Sequence, residues 1–220
     1  MRTRELGGGR DLRRPVIDTD RLIEDADAGL AGEFELDGLR LAGAWTEARG
    51  RGTIVESVLT EVDLTGSVLG PLTLVDVQGE QVELSNTTLR RVTARRVELV
   101  RCRAVGMRLD LELAADVYFE GCRLDYATVR VEQAKGRIVF HECTFREATI
   151  GGDLTGAVFA HCDLAGVEFT ATAAAGCDLC SSRLDGARGL LSLRGAQVST
   201  DQVLAVADRL AAEAGFRVIG

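Results

Sequence analysis

Two histidines and six cysteines are the residues of this chain whose types could support nucleophilic or metal chemistry. His161 directly precedes Cys162, and an imidazole beside a thiol is the arrangement that activates a cysteine nucleophile. Repeated cysteines also raise the question of a zinc site, which requires ligands in a tetrahedron. Four of the cysteines recur at intervals of 20, 21 and 19 residues: Cys102, Cys122, Cys143 and Cys162.

A row of this kind cannot surround a metal ion, because its members lie in one line. We expect these thiols to point inward as small packing residues and to stay reduced. His141 and His161 are expected to point outward, which separates His161 from the thiol of Cys162. Cys180 falls outside the interior pattern and is predicted to be the one exposed thiol. The sequence therefore predicts no catalytic residue, no metal site and no cofactor, and hence no enzyme.

Charge is distributed unevenly along the chain. Residues 15–89 carry a net charge of −11, whereas residues 90–108 carry +6, with Glu98 as the only acid. The second segment, here called the arginine belt, holds Arg90, Arg91, Arg95, Arg96, Arg101, Arg103 and Arg108. Such a belt could contact phosphates. Aromatic residues are scarce near it and acids flank it, so we expect ion pairs between neighbouring strands rather than nucleic-acid binding.

The element that positions these residues is a unit of five. From Leu59 to Leu184, 20 of 25 residues at five-residue spacing are Leu, Phe, Ile or Val, and a small residue stands two places before most of them. Residues two apart on an extended chain point the same way. A short extended piece followed by a corner therefore fits this period, whereas a helix or a straight strand does not.

Four units of five make a coil of 20 residues, which accounts for the cysteine row. A second row on the neighbouring side contains Phe119, Phe140 and Phe159. Both rows keep register only if one residue is gained between Val129 and Phe140 and one is lost after Ile150. Residues 110–138 are the irregular part, because Glu112 and Glu132 fall on inward positions. There we expect a change of register that turns inward Leu111, Leu113 and Val131.

At this point the chain resembles the pentapeptide-repeat family, whose units read roughly A-D/N-L-x-x. The segments AVFAHCDLAGVEF and SSRLDGARGL carry the resemblance, and the match extends over about residues 33–198. Segments such as EGCRLDYATVR suggest the actinobacterial type. The resemblance implies an all-β solenoid, namely a right-handed quadrilateral β-helix of pentapeptide repeats.

Three segments follow from this reading. Residues 1–32 are expected to be an N-terminal tail, partly disordered, with a short helix near residues 21–26. Residues 33–198 form the pentapeptide-repeat β-helix, and residues 199–220 form a C-terminal helix. Ser199 and Gln202 read as a capping box. The apolar positions of this last segment, Val203, Val206, Leu210 and Phe216, predict either a cap over the last coil or a dimer contact.

The function that follows is binding. The first hypothesis is a scaffold or adaptor for an unidentified protein partner. The alternative comes from the resemblance: some family members mimic B-form DNA, bind DNA gyrase, a type II topoisomerase, and inhibit it or protect it from quinolones, which confers antibiotic resistance. Candidate contact residues for either function are Arg90, Arg91, Arg95, Arg96, Asp63, Asp76, Glu80 and Glu83. An unbroken acidic stripe would favour mimicry, and a stripe cut by arginines would favour the adaptor.

The compartment is expected to be the cytoplasm. No apolar run approaches the 18 residues of a membrane-spanning helix, and the first residues lack the apolar core of a signal peptide. No membrane partner is therefore predicted, while a homodimer through the C-terminal helix stays open.

Overall fold

The computed structural model describes residues 3–5, 11–25 and 28–217. It is a parallel β-solenoid of about seven turns with one short C-terminal helix, as the five-residue period predicts. Within the described residues, no helix is long and apolar enough to cross a membrane. The strands are β1 (Thr3–Glu5), β2 (Asp11–Arg13), β3 (Gly32–Asp37), β4 (Arg40–Ala44), β5 (Arg49–Asp63), β6 (Val68–Glu80), β7 (Thr88–Val100), β8 (Arg108–Glu120), β9 (Thr128–Val131), β10 (Ile138–His141), β11 (Thr149–Asp153), β12 (Val158–Ala160) and β13 (Glu168–Ala173).

The coils stack in the predicted register. Val129 pairs with Ile150, a step of 21, and Ile150 pairs with Phe169, a step of 19. One residue is therefore gained and then lost, as the two rows required. The rings of Phe119, Phe140 and Phe159 stack with centroids 4.8 and 5.0 Å apart, which places them in one buried row.

The irregular part also behaves as predicted, with one exception. The pairing of β7 with β8 shifts register around Val92, so that Leu111 takes the inward position and Glu112 faces solvent. Val131 stacks on Leu111 and is equally buried. Leu113 is the exception, because it stays partly exposed. The shift removes a carboxylate from the interior, where it would lack a partner.

Some corners bend a strand without ending it. At these corners a single residue takes the left-handed conformation, with φ of 55° at Asp76, 51° at Arg96 and 60° at Asp116. These residues are not glycines, so each conformation is disfavoured locally. Their side chains project from one edge of the solenoid, where the alternating charges face each other.

Small interior residues do more than fill space. The Cys122 thiol donates to the carbonyl of Leu99 at 3.3 Å, and the Ser182 hydroxyl donates to the carbonyl of Phe159 at 2.8 Å. A thiol thus serves at the same kind of position as a hydroxyl. The prediction of buried, unbridged cysteines holds for five of the six, and Cys180 is exposed as expected.

The C-terminal helix α1 (Thr200–Glu213) closes the last coil, and we call it the cap helix. Ser199 and Gln202 form the predicted capping box. The Gln202 side chain also donates to the carbonyls of Leu179 and Ser182, at 2.6 and 2.5 Å. Val206 is buried against the coil. A 3₁₀ turn, Leu190–Ser192, precedes the helix.

The N-terminal segment differs from the free tail that the sequence suggested. Its described residues, 3–5 and 11–25, are here called the arm. Strands β1 and β2 pair antiparallel, and no helix forms at residues 21–25, because Ile23 instead pairs with Leu39 at the edge of the first coil. Ala26, the last residue of the expected helix, lies outside the described residues. The arm therefore runs along the side of the solenoid from β8 back to β4.

Candidate partner-binding surfaces

The arginine belt divides into paired and unpaired members. Three of its arginines bind acids of the preceding coil: Arg96 with Asp76, Arg101 with Glu80, and Arg103 with Glu83. Ion pairing between neighbouring strands was predicted, and these pairs are of that kind, although each acid comes from the preceding coil. They also show that the predicted acidic contact residues Asp76, Glu80 and Glu83 are neutralised by the belt.

Asp76 is the most enclosed of these acids. Arg96 donates to both of its carboxylate oxygens, at 2.6 and 2.5 Å, and the Val16 N–H of the arm donates at 2.9 Å. Burial opposes ionisation, but these hydrogen bonds outweigh it and hold the pKa of Asp76 below its usual value. A carboxylate that is 5% exposed and has three donors is a structural anchor rather than a free contact.

The other predicted contact residues are accessible. Arg90, Arg91 and Arg95 are exposed, and none of them forms an ion pair with a residue that the structure describes. Asp63 is partly exposed and accepts from the Thr65 hydroxyl and N–H, which lowers its pKa. The structure thus separates the predicted set: these four are accessible, Arg96 and Asp76 bind each other, and Glu80 and Glu83 bind other arginines of the belt.

One acidic row is interrupted by the belt. Bridges between successive coils place Asp63 beside Glu83, Glu83 beside Arg103, and Arg103 beside Arg123. The row therefore changes sign after two coils. A stripe of this kind is cut rather than continuous.

A further surface, which the sequence did not indicate, lies under the arm. It consists of acids and apolar residues on the outer side of the coils, and we call it the covered face: Asp76, Glu98, Asp116, Tyr118, Glu120 and Val139. Arg14 donates to both carboxylate oxygens of Glu98 at 2.9 Å each, and Arg13 binds Asp116 at 2.6 Å. The hydrogen bonds that Arg14 donates to Glu98 raise the pKa of Arg14, although burial opposes the rise.

The tip of the arm combines charge with apolar contact. Leu12 is fully buried and packs with Tyr118 and Val139 in a cluster separate from the solenoid core. The guanidinium carbon of Arg4 lies 3.9 Å from the centre of the Tyr118 ring, and Arg4 also binds Glu120 at 2.9 Å. Burial of Tyr118 is the main reason why its pKa rises to about 12. The covered face is thus built to hold a cationic, partly apolar segment.

A shallow groove continues from the arm. Its lining residues are Arg4, Tyr118, Val139, His141, Val158, Ala160 and His161. Two buried polar atoms in this lining, Arg4 Nε and His141 Nδ1, have no hydrogen-bond partner. The His141 and His161 rings meet edge to face, 5.9 Å apart. The histidines therefore contribute to an open surface, while the Cys162 thiol donates inward to the carbonyl of Phe140.

The cap helix presents two sides. Val206 and Leu210 pack on the last coil, with Val203 at the margin and 42% exposed. Phe216 is 71% exposed and contributes nothing to the cap, because it follows the end of the helix. Leu204 is equally exposed on the outer side. The predicted apolar set is therefore split between a cap and an uncovered surface.

The described residues contain no group of three or more His, Cys, Asp or Glu side chains arranged to hold a metal ion. The cysteine row is buried, and its thiols donate to backbone carbonyls. The arrangement supports contacts with other molecules.

Comparisons with known proteins agree with the repeat architecture. The family model of pentapeptide repeats (8 copies) matches residues 153–188. No curated protein matches the chain at a significant level. Among solved structures, full-length QnrB1, described as a plasmid-mediated fluoroquinolone resistance protein, is 16% identical, with 78% of this chain and 99% of that chain covered and a TM-score of 0.42. HetL, a pentapeptide repeat protein involved in heterocyst differentiation regulation from the cyanobacterium Nostoc sp. strain PCC 7120, is 15% identical, with 76% and 85% covered and a TM-score of 0.24.

Proposed function

We propose that this chain, in which pentapeptide repeats match residues 153–188, is a non-enzymatic scaffold or adaptor that binds a protein partner. The observation that carries the proposal is the division of the acidic coils by the arginine belt. Arg96, Arg101 and Arg103 neutralise the acids that precede them. A surface of alternating sign suits a protein partner with complementary charges better than a site built for a continuous run of phosphates.

The belt also supplies the contact residues that we assign to the partner. Arg90, Arg91 and Arg95 are exposed and free of ion pairs with described residues. Arginines of this kind form paired hydrogen bonds with carboxylates. We therefore expect the partner to present aspartate or glutamate side chains to this part of the solenoid.

Charge reversal tests the contact. The full chain with Arg90, Arg91 and Arg95 changed to Glu is compared with the wild type in a cross-linking pull-down read by mass spectrometry. The matched control changes Arg194, Arg209 and Arg217, which are also exposed, and produces the same change in net charge. A partner that the wild type and the control retain, and the belt variant loses, supports the proposal. Equal capture by all three proteins contradicts the assignment of the belt.

A second candidate is an acidic mimic of DNA that binds DNA gyrase, and the first coils favour it. Residues 33–63 hold acids that are largely exposed, among them Glu35, Asp37, Glu56 and Glu61. A gyrase supercoiling assay with and without a quinolone separates the two functions. Inhibition of gyrase, or its protection from the quinolone, at micromolar protein and lost at high salt would support the mimic and contradict the adaptor. If the protein changes supercoiling neither with nor without the quinolone, the mimic hypothesis is contradicted.

We include a homodimer in the proposal. The exposed side chains of Leu204 and Phe216 lie on or beside the outer side of the cap helix, where a second copy could cover them. Light scattering of the full chain and of the variant with Leu204→Asp and Phe216→Asp tests this. A dimer that the variant loses supports the contact. A wild type that stays monomeric over a 100-fold range of protein concentration contradicts it.

A further inference from the structure

We propose that the covered face is a docking surface for an extended, arginine-bearing segment of a partner protein, and that the arm is its competitor within the chain. The inference rests on the proposed function, because it names a second contact of the same adaptor. It concerns a surface other than that formed by Arg90, Arg91 and Arg95. The partner side chains that it would bind are cationic, whereas those expected at the belt are anionic.

The charges of the covered face define what it binds. Glu98 and Asp116 are buried carboxylates whose partners come from the arm, Arg14 for the first and Arg13 for the second. A buried carboxylate without a partner is strongly unfavourable. The arm is what covers these carboxylates, so any segment that covers the face in its place must also supply guanidinium groups at these positions.

An apolar position between the charges adds selectivity. Leu12 alternates with its charged neighbours along β2, so that its side chain enters the space between Tyr118 and Val139. Residues two apart on an extended segment share one side. A ligand of this face is thus extended, carries arginines, and places one aliphatic side chain toward the solenoid.

The arm is held in a way that permits exchange. Its only buried apolar side chain on the covered face is Leu12, and the guanidinium side chains of Arg13 and Arg14 remain 46% and 38% exposed. Partly exposed ion pairs are weak. The advantage of the arm is its attachment to the same chain, which corresponds to a local concentration on the order of millimolar.

The groove beside the arm shows that the surface is larger than its present occupant. Val158 and Ala160 extend the apolar floor beyond Val139, and the Nδ1 of His141 stays without a hydrogen-bond partner at its border. A segment longer than the arm would cover this floor and supply a hydrogen-bond partner to His141 Nδ1. A longer partner segment would thus make more contacts with the surface than the arm does.

The test uses the full chain with the arm released. Leu12→Asp places a carboxylate against an acidic, apolar surface and should detach the arm, which hydrogen exchange of residues 11–16 reports. If exchange shows that the arm still binds, Arg13→Glu and Arg14→Glu are added, since like charges then face Asp116 and Glu98. The probe is a fluorescent synthetic peptide of residues 3–14, measured by anisotropy.

We expect the released variant to bind the peptide at least 10-fold more tightly than the wild type, in which the arm competes. A peptide with Arg13→Glu and Arg14→Glu should not bind, and Glu98→Gln in the released protein should weaken binding at least 10-fold. No binding to the released variant, or equal binding of both peptides, would overturn the inference. Dimers of the wild type that Leu12→Asp abolishes would also overturn it, because the occupant would then be the arm of a second copy. None of these results bears on the belt-reversal experiment, so the two proposals fail separately.

Discussion

The cap helix and the arm are the two segments outside the coils, and they attach to the solenoid by different forces. The cap helix buries Val206 and uses the amide of Gln202 to satisfy carbonyls of the last coil. The arm instead relies on guanidinium–carboxylate pairs, with Leu12 as its one buried apolar side chain on that face. The cap completes a core that would otherwise be open, whereas the arm covers a surface that is already folded.

This difference indicates which segment the stability of the solenoid depends on. Each coil of a repeat protein buries its interior against its neighbours, so an end without a cap exposes apolar surface. Loss of the cap helix therefore affects stability. Loss of the arm exposes polar and charged groups that water can solvate, and it affects binding instead.

The largest effect is expected from Val206→Asp. The change places an unpaired carboxylate against the apolar end of the last coil, and we expect a loss of about 3 kcal/mol in the free energy of unfolding. Urea denaturation followed by circular dichroism measures it. Val203→Asp is the control on the same helix, and since Val203 is 42% exposed it should change stability by less than about 0.5 kcal/mol. Equal losses in the two variants would show that the helix does not cap.

Gln202→Ala should have the next largest effect. It removes both hydrogen bonds to the carbonyls of Leu179 and Ser182 and the side-chain half of the capping box. The Ser182 carbonyl then loses its donor, whereas the Leu179 carbonyl keeps the Ser182 N–H, and we expect the last coil to be destabilised by about 2 kcal/mol. Hydrogen exchange in residues 177–190 is the measurement. Gln133→Ala, at an exposed position, serves as the control, and faster exchange in both variants would refute the assigned role.

The same contrast explains what the sequence could predict. The period of five and the interval of 20 predict the coils, the row of Phe119, Phe140 and Phe159, and even the inward turn of Leu111, because stacked coils repeat the same local pattern. The capping box of Ser199 and Gln202 is likewise local. Each of these features depends on residues that are neighbours in the sequence or are one coil apart.

The arm could not be predicted in this way. Arg14 and Glu98 are 84 positions apart, and Arg4 and Glu120 are 116 apart, and no periodicity connects them. A short polar segment without apolar alternation reads as a tail. The one available signal was the excess of arginine in residues 1–14 opposite acidic coils, which indicates attraction but not position. Asp76 and Arg96 are a different case, because they are one coil apart and bind each other, although both were predicted as contacts for a partner.

Acid should release the arm and leave the cap in place. Burial opposes ionisation, but the hydrogen bonds from Arg96 and from the Val16 N–H of the arm to Asp76, and from Arg4 of the arm to Glu120, lower both pKa values in the folded protein. Groups with lowered pKa values stabilise the fold above their ordinary values, 3.8 and 4.5, and this contribution is lost as pH falls through the folded values. We expect the methyl NMR signals of Leu12 to be constant from pH 8 to 5 and to move to their solvent-exposed positions below about pH 4. The signals of Val206, whose contacts carry no charge, should change little. Coincident transitions of the two residues would mean that the arm and the cap are not independent.

The smallest effect is expected from Arg14→Lys, which keeps the charge and removes the paired geometry. The guanidinium of Arg14 reaches both oxygens of Glu98 at 2.9 Å, and an ammonium group cannot donate in two parallel directions to one carboxylate. We expect the free energy that holds the arm closed to fall by about 1 kcal/mol, measured by hydrogen exchange of residues 11–16 with global stability unchanged. Arg21→Lys is the matched control, since Arg21 pairs with Asp18 at an exposed position, and it should alter exchange by less than about 0.3 kcal/mol. If Arg14→Lys behaves like this control, the buried carboxylate of Glu98 responds to charge alone, and a lysine-bearing segment would then serve the covered face as well as an arginine-bearing one.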